Sequence, residues 1–433
     1  MRRALLIVLL VVVVVTLAMA FHHPPMRLMP APQVFRTDGS AVFAALEEAE
    51  RTNRIRIFYA TNRLALGPAE NRLYTGAPDR ETSFGQATIR VGDDGTGWEE
   101  ILRLSTGDSD EARPFLHLET MAEAGRLPRD AGAADALPPG VEGWLAAVEA
   151  DLARRRSRDI IIYVHGANTT VERGVGQAAQ LHHFTGRNAT VIAFVWPTAE
   201  NFLRYSRDIH TALGAAPHLA RLVGLLAAHT SADKIDVFTY SAGGTVGSEA
   251  MGMLGRLVAQ GAPDPRLGDV YHAAPDADFR DFVADLEDYA DVARRVSVAI
   301  NTGDSALRLA QVVNRASRAG RPDIAELSPE AAGFLLQANL DYGLEVVRVR
   351  PENIPGLSPS SHTFWYEDPW VSSDVLVSLL YHLPPALRGL AAGEGPGGST
   401  YWTFPPDYPE ALAGVLAHLA AEGRLMAPAP AGD

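Results

Sequence analysis

The chain predicts an α/β fold, with a mainly parallel central sheet and helices on both of its faces. Three observations carry that prediction. From residue 141 onward, continuous apolar runs of strand length alternate with helical periods, the pattern of parallel strands buried on both sides. Ahead of them, the alternating segment 86–91 (QATIRV) suits antiparallel strands at one edge of the sheet. Finally, Thr239-Tyr240-Ser241-Ala242-Gly243-Gly244 joins a buried strand (234–240) to a helix. That junction puts a serine on a sharp turn at the carboxyl end of the sheet, where ligand sites of such folds lie.

Taken in order, the chain opens with Met1-Arg2-Arg3, an apolar run from Ala4 to Phe21 and the small residues of Ala18-Met19-Ala20. A basic start, an apolar core and a small-residue cleavage site make residues 1–20 a signal peptide or a membrane anchor; both remain open. The two arginines favour a cytoplasmic start. The rest of the chain is then exported: periplasmic, extracellular, or anchored to the inner membrane facing outward. Residues 21–50, rich in proline and histidine before VFAALEEAERTNR, read as a linker.

Residues 51–390 form the folded domain in this reading. A first strand covers 54–60, a polar region and the 86–91 strand follow, and 104–140 is loop-like. Strands at 159–164, 190–196, 234–240, 270–273, 295–300 and 344–349 then alternate with helices. The stretch 311–343, with PEAAGFLLQANL, is long enough for a lid; packing against the domain is the alternative. Residues 391–433, with GEGPGGS, read as a flexible tail ending in a helix.

Composition narrows the function. With 433 residues, 47% of them hydrophobic, the chain can bury a large core, and its net charge of −14 offers no basic surface for nucleic acid or anionic lipid. No nucleic-acid partner is expected. The absence of cysteine removes disulfides, thiolate metal sites, cysteine nucleophiles and a lipidated cysteine anchor.

Ser241 has the strand–turn–helix context of a nucleophile elbow, G-x-S-x-G, although Thr239 stands where glycine is usual and crowds the turn. A helix-capping serine is the plain alternative. The ends of the other strands decide between them. Strand 159–164 runs into His165-Gly166-Ala167-Asn168, where the Ala167 N–H can face an oxyanion together with that of Ala242. Removing one such donor typically costs about 3–4 kcal/mol of transition-state stabilisation. His165 is expected to shape this loop without moving protons. Strand 295–300 leads to Asp304, and the loop after the last strand holds His362. The order Ser241, Asp304, His362 is that of an acyl-transfer triad on this topology: nucleophile, orienting acid, base. Asp276, after strand 270–273, is the alternative acid.

Weaker signals are set aside. Gly174-Val175-Gly176-Gln177-Ala178-Ala179 matches a dinucleotide fingerprint by pattern but begins too far after its strand. His182-His183 reads as helix surface, not metal. No cofactor and no metal are expected. Trp196, Tyr205 and Asp208 either border the pocket or serve packing and an ion pair.

Phe58-Tyr59-Ala60-Thr61-Asn62-Arg63, the His165-Gly166 loop, Trp196-Pro197, Tyr205 with Asp208, the Ser241 elbow, Ala274-Pro275-Asp276, Gly303-Asp304-Ser305-Ala306-Leu307 and Ser361-His362 together resemble one bacterial family. It is the α/β-hydrolase family long catalogued as a domain of unknown function, in the esterase and lipase superfamily. The resemblance spans about residues 55–385 and implies the α/β-hydrolase fold and an acyl-group reaction. Thr239 and Tyr240 depart from it. The expected function is a serine hydrolase acting on a small-molecule carboxylic ester. The alternatives are an amidase, thioesterase or acyltransferase using the same residues, or a binding protein that has lost the chemistry.

Overall fold

The structure, a computed structural model, describes residues 24–44, 46–108, 112–128 and 136–424. The signal or anchor expected over residues 1–20 lies outside them. The chain enters through α1 (Gln33–Ala44), then lays down β1 (Arg54–Leu66), β2 (Leu73–Val91), α2 (Trp98–Thr106) and β3 (Leu116–Pro128). Helix and strand then alternate through α3 (Pro139–Arg154), β4 (Ile160–Val164), α4 (Val171–Phe184), β5 (Thr190–Phe194), α5 (Tyr205–His229) and β6 (Ile235–Tyr240). There follow α6 (Gly243–Ala259), β7 (Leu267–Ala273), α7 (Phe279–Tyr289), β8 (Arg295–Ile300), α8 (Ser305–Asn314), α9 (Pro329–Asp341) and β9 (Leu344–Arg348). Helices α10 (Phe364–Glu367) and α11 (Pro369–Tyr381), the hairpin β10 (Ala391–Glu394) and β11 (Thr400–Thr403), and α12 (Tyr408–Ala421) close the chain.

Among the described residues, eleven strands make one sheet in the order β10-β11-β9-β8-β7-β6-β4-β5-β1-β2-β3. From β11 to β1 every pairing is parallel, and antiparallel partners flank that block at both edges. Strand residues alternate between two buried layers. Ile161, Tyr163, Phe238 and Tyr240 face α1, α4, α11 and α12, whereas Ile160, Ile162, Ile235 and Val237 face α3, α5, α6 and α7. Covering both faces is why these strands are apolar throughout. Helix α5 is long and apolar enough to cross a bilayer, and it lies instead on the second face, burying Ala212, Leu219, Leu222 and Leu226.

The register aligns the strand ends that matter. Val164 pairs with Thr239, Tyr240 with Ala273, Ala273 with Ala299, and Ile300 with Arg348. His165, Ser241, Ala274, Asn301 and Val349 therefore emerge side by side at the carboxyl edge.

Three expectations are corrected. The loop read over 104–140 contains β3, which pairs with β2 from Val91↔Leu116 to Glu81↔Pro128; its Leu, Met, Ala and Glu suggest no strand, and pairing overrides their weak local preference. The tail at 391–403 is a hairpin, not a flexible connection: β11 pairs with β9, and Gly397 and Gly398 take positive φ at the turn. The linker 21–50 is largely part of the domain, because α1 buries Val34, Phe35, Val42 and Phe43, and the Val34 N–H donates to Ser373 Oγ at 2.9 Å. In the 311–343 stretch, α9 roofs an apolar groove of about 540 Å³ against β8 and β9, lined by Phe282, Val298, Ile300, Leu335 and Leu344. Ser241, Asp304 and His362 are not among the residues lining it.

Candidate active site

Ser241 sits between β6 and α6 with φ of 53°, the left-handed region that a residue with a Cβ enters at a cost of about 1–2 kcal/mol. Its surroundings hold it there. Its N–H donates to the Ala273 carbonyl at 3.0 Å, and its own carbonyl accepts from Gly244 and Asp276, each at 2.8 Å. Gly243 lets α6 start against β4, since a Cβ there would stand 2.5 Å from the Val164 carbonyl oxygen.

Thr239 does not crowd the turn as its size suggested. Its hydroxyl pairs with His272 Nδ1 at 2.7 Å, and its methyl fills the space left by Gly247, where a Cβ would lie 2.4 Å from that methyl. The missing glycine before the serine is thus compensated by one after it. Tyr240 lies with its ring centroid 5.2 Å from the His362 ring and also contacts Trp365 and Tyr366, forming a wall beside the histidine.

His362 Nε2 lies 2.8 Å from Ser241 Oγ, and its Nδ1 lies 2.6 Å from Asp304 Oδ2. Asp304 is fully buried; its other oxygen accepts from the Leu307 N–H at 2.9 Å, capping α8. One carboxylate oxygen fixes the helix and the other faces the imidazole. Asn301 ties the two loops together, donating from Nδ2 to the Ser361 carbonyl at 2.8 Å and accepting from Gly303 N–H at 2.9 Å. No role was read from the sequence for Asn301; an Asn directly after a strand, three residues before the acid, is the signal that could have found it.

The loop carrying Ala167 lies against the serine: a Cβ on Gly166 would be 2.8 Å from Ser241 Cβ. Ala242, the other proposed donor, is the residue before α6, whose first N–H groups have no carbonyl within the helix. The loop is braced from outside. Trp196 Nε1 donates to the His165 carbonyl at 2.6 Å, Asn168 N–H to Asp208 at 2.9 Å, and Ala199 N–H to Asp208 at 2.6 Å. Arg63, fully buried, donates to the Thr169 and Trp196 carbonyls and pairs with Glu200 at 2.6 Å. Trp196 and Asp208 therefore hold the loop, and Arg63, the buried one of the three arginines in β1, is its central clamp. His165 stacks on Trp196 with its Nδ1 2.8 Å from the Gly166 carbonyl; burial, and then Arg63, push its pKa down to about 3, so it stays neutral.

Asp276 does not reach His362. It is buried, with Oδ1 2.6 Å from Arg318 Nε and Oδ2 accepting from the Tyr205 hydroxyl at 2.5 Å. That pairing satisfies both oxygens and leaves the histidine to Asp304. His182 and His183 are corrected as well: they are buried, not on the helix surface. His182 Nδ1 lies 3.0 Å from the Ala189 carbonyl, and His183 Nε2 pairs with Ser105 at 2.8 Å.

Comparison with known proteins agrees with the resemblance read from the motifs. Residues 144–349 match the family described as "Alpha/beta hydrolase of unknown function (DUF900)", and the fold is that of an α/β-hydrolase. No curated protein matches the sequence. Among solved structures, the phospholipase PlaB from Legionella pneumophila in complex with thio-NAD aligns at 16% identity over 44% of this chain and 38% of its own, with TM-score 0.23. The chain thus spans less than half of that phospholipase. An esterase from Pyrobaculum calidifontis aligns at 17% identity over 63% of this chain and 77% of its own, with TM-score 0.25. Lipase B from Aspergillus fumigatus aligns at 17% identity over 36% and 33%, with TM-score 0.20. The family match, on a fold whose strand ends carry these side chains, supports hydrolase activity.

Proposed function

We propose that this chain is a serine hydrolase that cleaves carboxylic esters through an acyl-enzyme. The observation that carries the reading is the continuous chain from Ser241 Oγ through His362 to Asp304, at 2.8 and 2.6 Å, on a turn with a positive-φ serine. A serine hydroxyl attacks only when a base takes its proton, and the base needs a partner to fix its tautomer. His362 Nε2 takes the proton as Ser241 Oγ attacks the ester carbonyl, and Asp304 holds Nδ1–H and stabilises the imidazolium. The Ala167 and Ala242 N–H groups receive the oxyanion. The imidazolium then protonates the departing alcohol. Water, deprotonated by the same histidine, releases the acid and restores Ser241.

A fluorophosphonate probe labels the nucleophile of such enzymes. Wild type is expected to be labelled and Ser241→Ala not, with p-nitrophenyl ester turnover lost in parallel. A folded wild type that takes no label and turns over no ester would sink the proposal. Preference for amides or thioesters over oxygen esters would keep the mechanism and change the substrate class.

A further inference from the structure

We propose that helix α8 and the turn before α5 form a membrane-docking ridge at the mouth of the site, seated on an anionic phospholipid bilayer, so that the ester substrate is an acyl lipid drawn from that bilayer. The proposal rests on the hydrolase reading and names its substrate class.

Helix α8 starts at Asp304 and thus at the same end of the sheet as Ser241. It buries only Leu307 and Ala310. Its other face presents Leu309, Val312 and Val313 to solvent, with Val312 71% exposed. Leu203, 54% exposed, lies just before Tyr205, whose hydroxyl accepts from Asn314 at the far end of α8 at 3.1 Å. Four large apolar side chains without cover therefore border one mouth. Isolated exposed leucines are ordinary, but a cluster rimmed by charge marks an interface.

Charge selects the occupant. Despite a net charge of −14, the stretch from Ser305 to Pro322 holds four arginines and no carboxylate. Arg318 is buried on Asp276, whereas Arg308 and Arg315 point outward, as do Arg204 and Arg207 beside Leu203. None of these four outward arginines is ion-paired among the described residues. Apolar side chains framed by arginine on one helix face are what a peripheral helix presents to the headgroup boundary: the side chains enter the acyl region and the guanidinium groups meet lipid phosphates. The whole-chain charge had argued against anionic lipid, and the local distribution reverses that at this one edge. Retained as an anchor, the apolar run of residues 4–21 would bring the domain to the same surface.

The absence of cysteine makes the test clean, because a fluorophore reports one chosen position on the full chain. An environment-sensitive label on Val312→Cys is expected to shift to the blue with phosphatidylglycerol–phosphatidylcholine vesicles, and a label on Ala259→Cys, at the opposite end of α6, is not. Leu309→Ser with Val313→Ser should abolish the shift. Turnover of a long-chain ester in those vesicles should fall roughly tenfold in the same variant, while a soluble short ester is cleaved as in wild type. Arg308→Gln with Arg315→Gln should leave the shift on neutral vesicles unchanged and weaken it on anionic ones. An unshifted Val312 label, equal shifts at both positions, or unchanged vesicle turnover in the serine variant would overturn the ridge. Loss of soluble-ester turnover by wild type would instead sink the hydrolase reading, with the label still reporting on docking.

Discussion

Each end of the sheet carries a histidine paired with a buried aspartate, and the two could hardly be used more differently. At the carboxyl end His362 bridges Asp304 and Ser241. At the amino end His382 lies 2.7 Å from Asp159 and 3.2 Å from Asp269, beside Asp236, with Arg294 on both Asp236 and Asp269. Donor atoms of Asp159, Asp236 and His382 fall within 4.8 Å of one another, a spacing that could suit a cation, but the Arg294 guanidinium already supplies positive charge there. A histidine–aspartate pair is therefore not a site by itself. What separates the two ends is a nucleophile on a strained turn, backbone donors beside it, and an imidazole with one nitrogen left for the serine.

The widest break of that comparison is to remove each histidine. His362→Ala is expected to lower kcat for a soluble ester by about 10⁴-fold or more with little change in Tm. His382→Ala should leave kcat unchanged and cost about 2–3 kcal/mol of stability, because it strands buried carboxylates. Denaturant unfolding beside steady-state kinetics separates these; a His382 variant that is stable and inactive would refute the division. Next in size, Asp304→Asn should cost about 10³-fold or more in kcat by losing the tautomer lock. Asp276→Asn should chiefly destabilise, since it leaves buried Arg318 without its partner. Equal activity of Asp304→Asn and wild type would remove the assigned acid.

The carboxyl end was also the more legible of the two. Ser241 and Asp304 come within four residues of the end of a largely apolar strand, and His362 lies in the loop after β9; strand ends are marked by the abrupt change from apolar to polar residues. The register then brings together what the sequence could only order. The amino-end network gave no such mark: Asp159, Asp236 and Asp269 lie at or near strand starts, and His382 comes from a helix terminus far along the chain. The same reason hid β3, whose strand state depends on β2, and Arg63, whose three carbonyl and carboxylate partners come from two other loops. Local pattern reports burial well and distant partners poorly.

A smaller effect sharpens the active-site side. If Gly247 exists to receive the Thr239 methyl, Gly247→Ala should overpack the elbow and cost about 1–3 kcal/mol. Thr239→Ser removes only that methyl and keeps the hydroxyl on His272. The double variant should then recover most of the stability lost by Gly247→Ala, a non-additivity visible in a double-mutant cycle. Strict additivity would mean that the two positions do not share this space.

The smallest effect concerns pH and falls on the amino end. Burial alone would lower the pKa of His382, but the hydrogen-bonded Asp159 and Asp269 carboxylates outweigh it and hold the pKa up at about 9. A histidine whose folded pKa lies above its unfolded value near 6.5 contributes stability that is complete below the unfolded pKa and is lost as pH rises through the folded one. Burial also raises Asp236, to about 8, and a carboxyl raised in the fold acts with the same sign. The Asp236 contribution is lost between about pH 4 and 8 and that of His382 between about pH 6.5 and 9. Tm should therefore decline most steeply where the two overlap, and His382→Gln should flatten the decline above about pH 6.5. The kcat of the variant should keep the wild-type pH profile, because nothing at this end touches His362. A slope that survived His382→Gln unchanged would place the proton elsewhere, and a shifted kcat profile would couple two ends that the fold keeps apart.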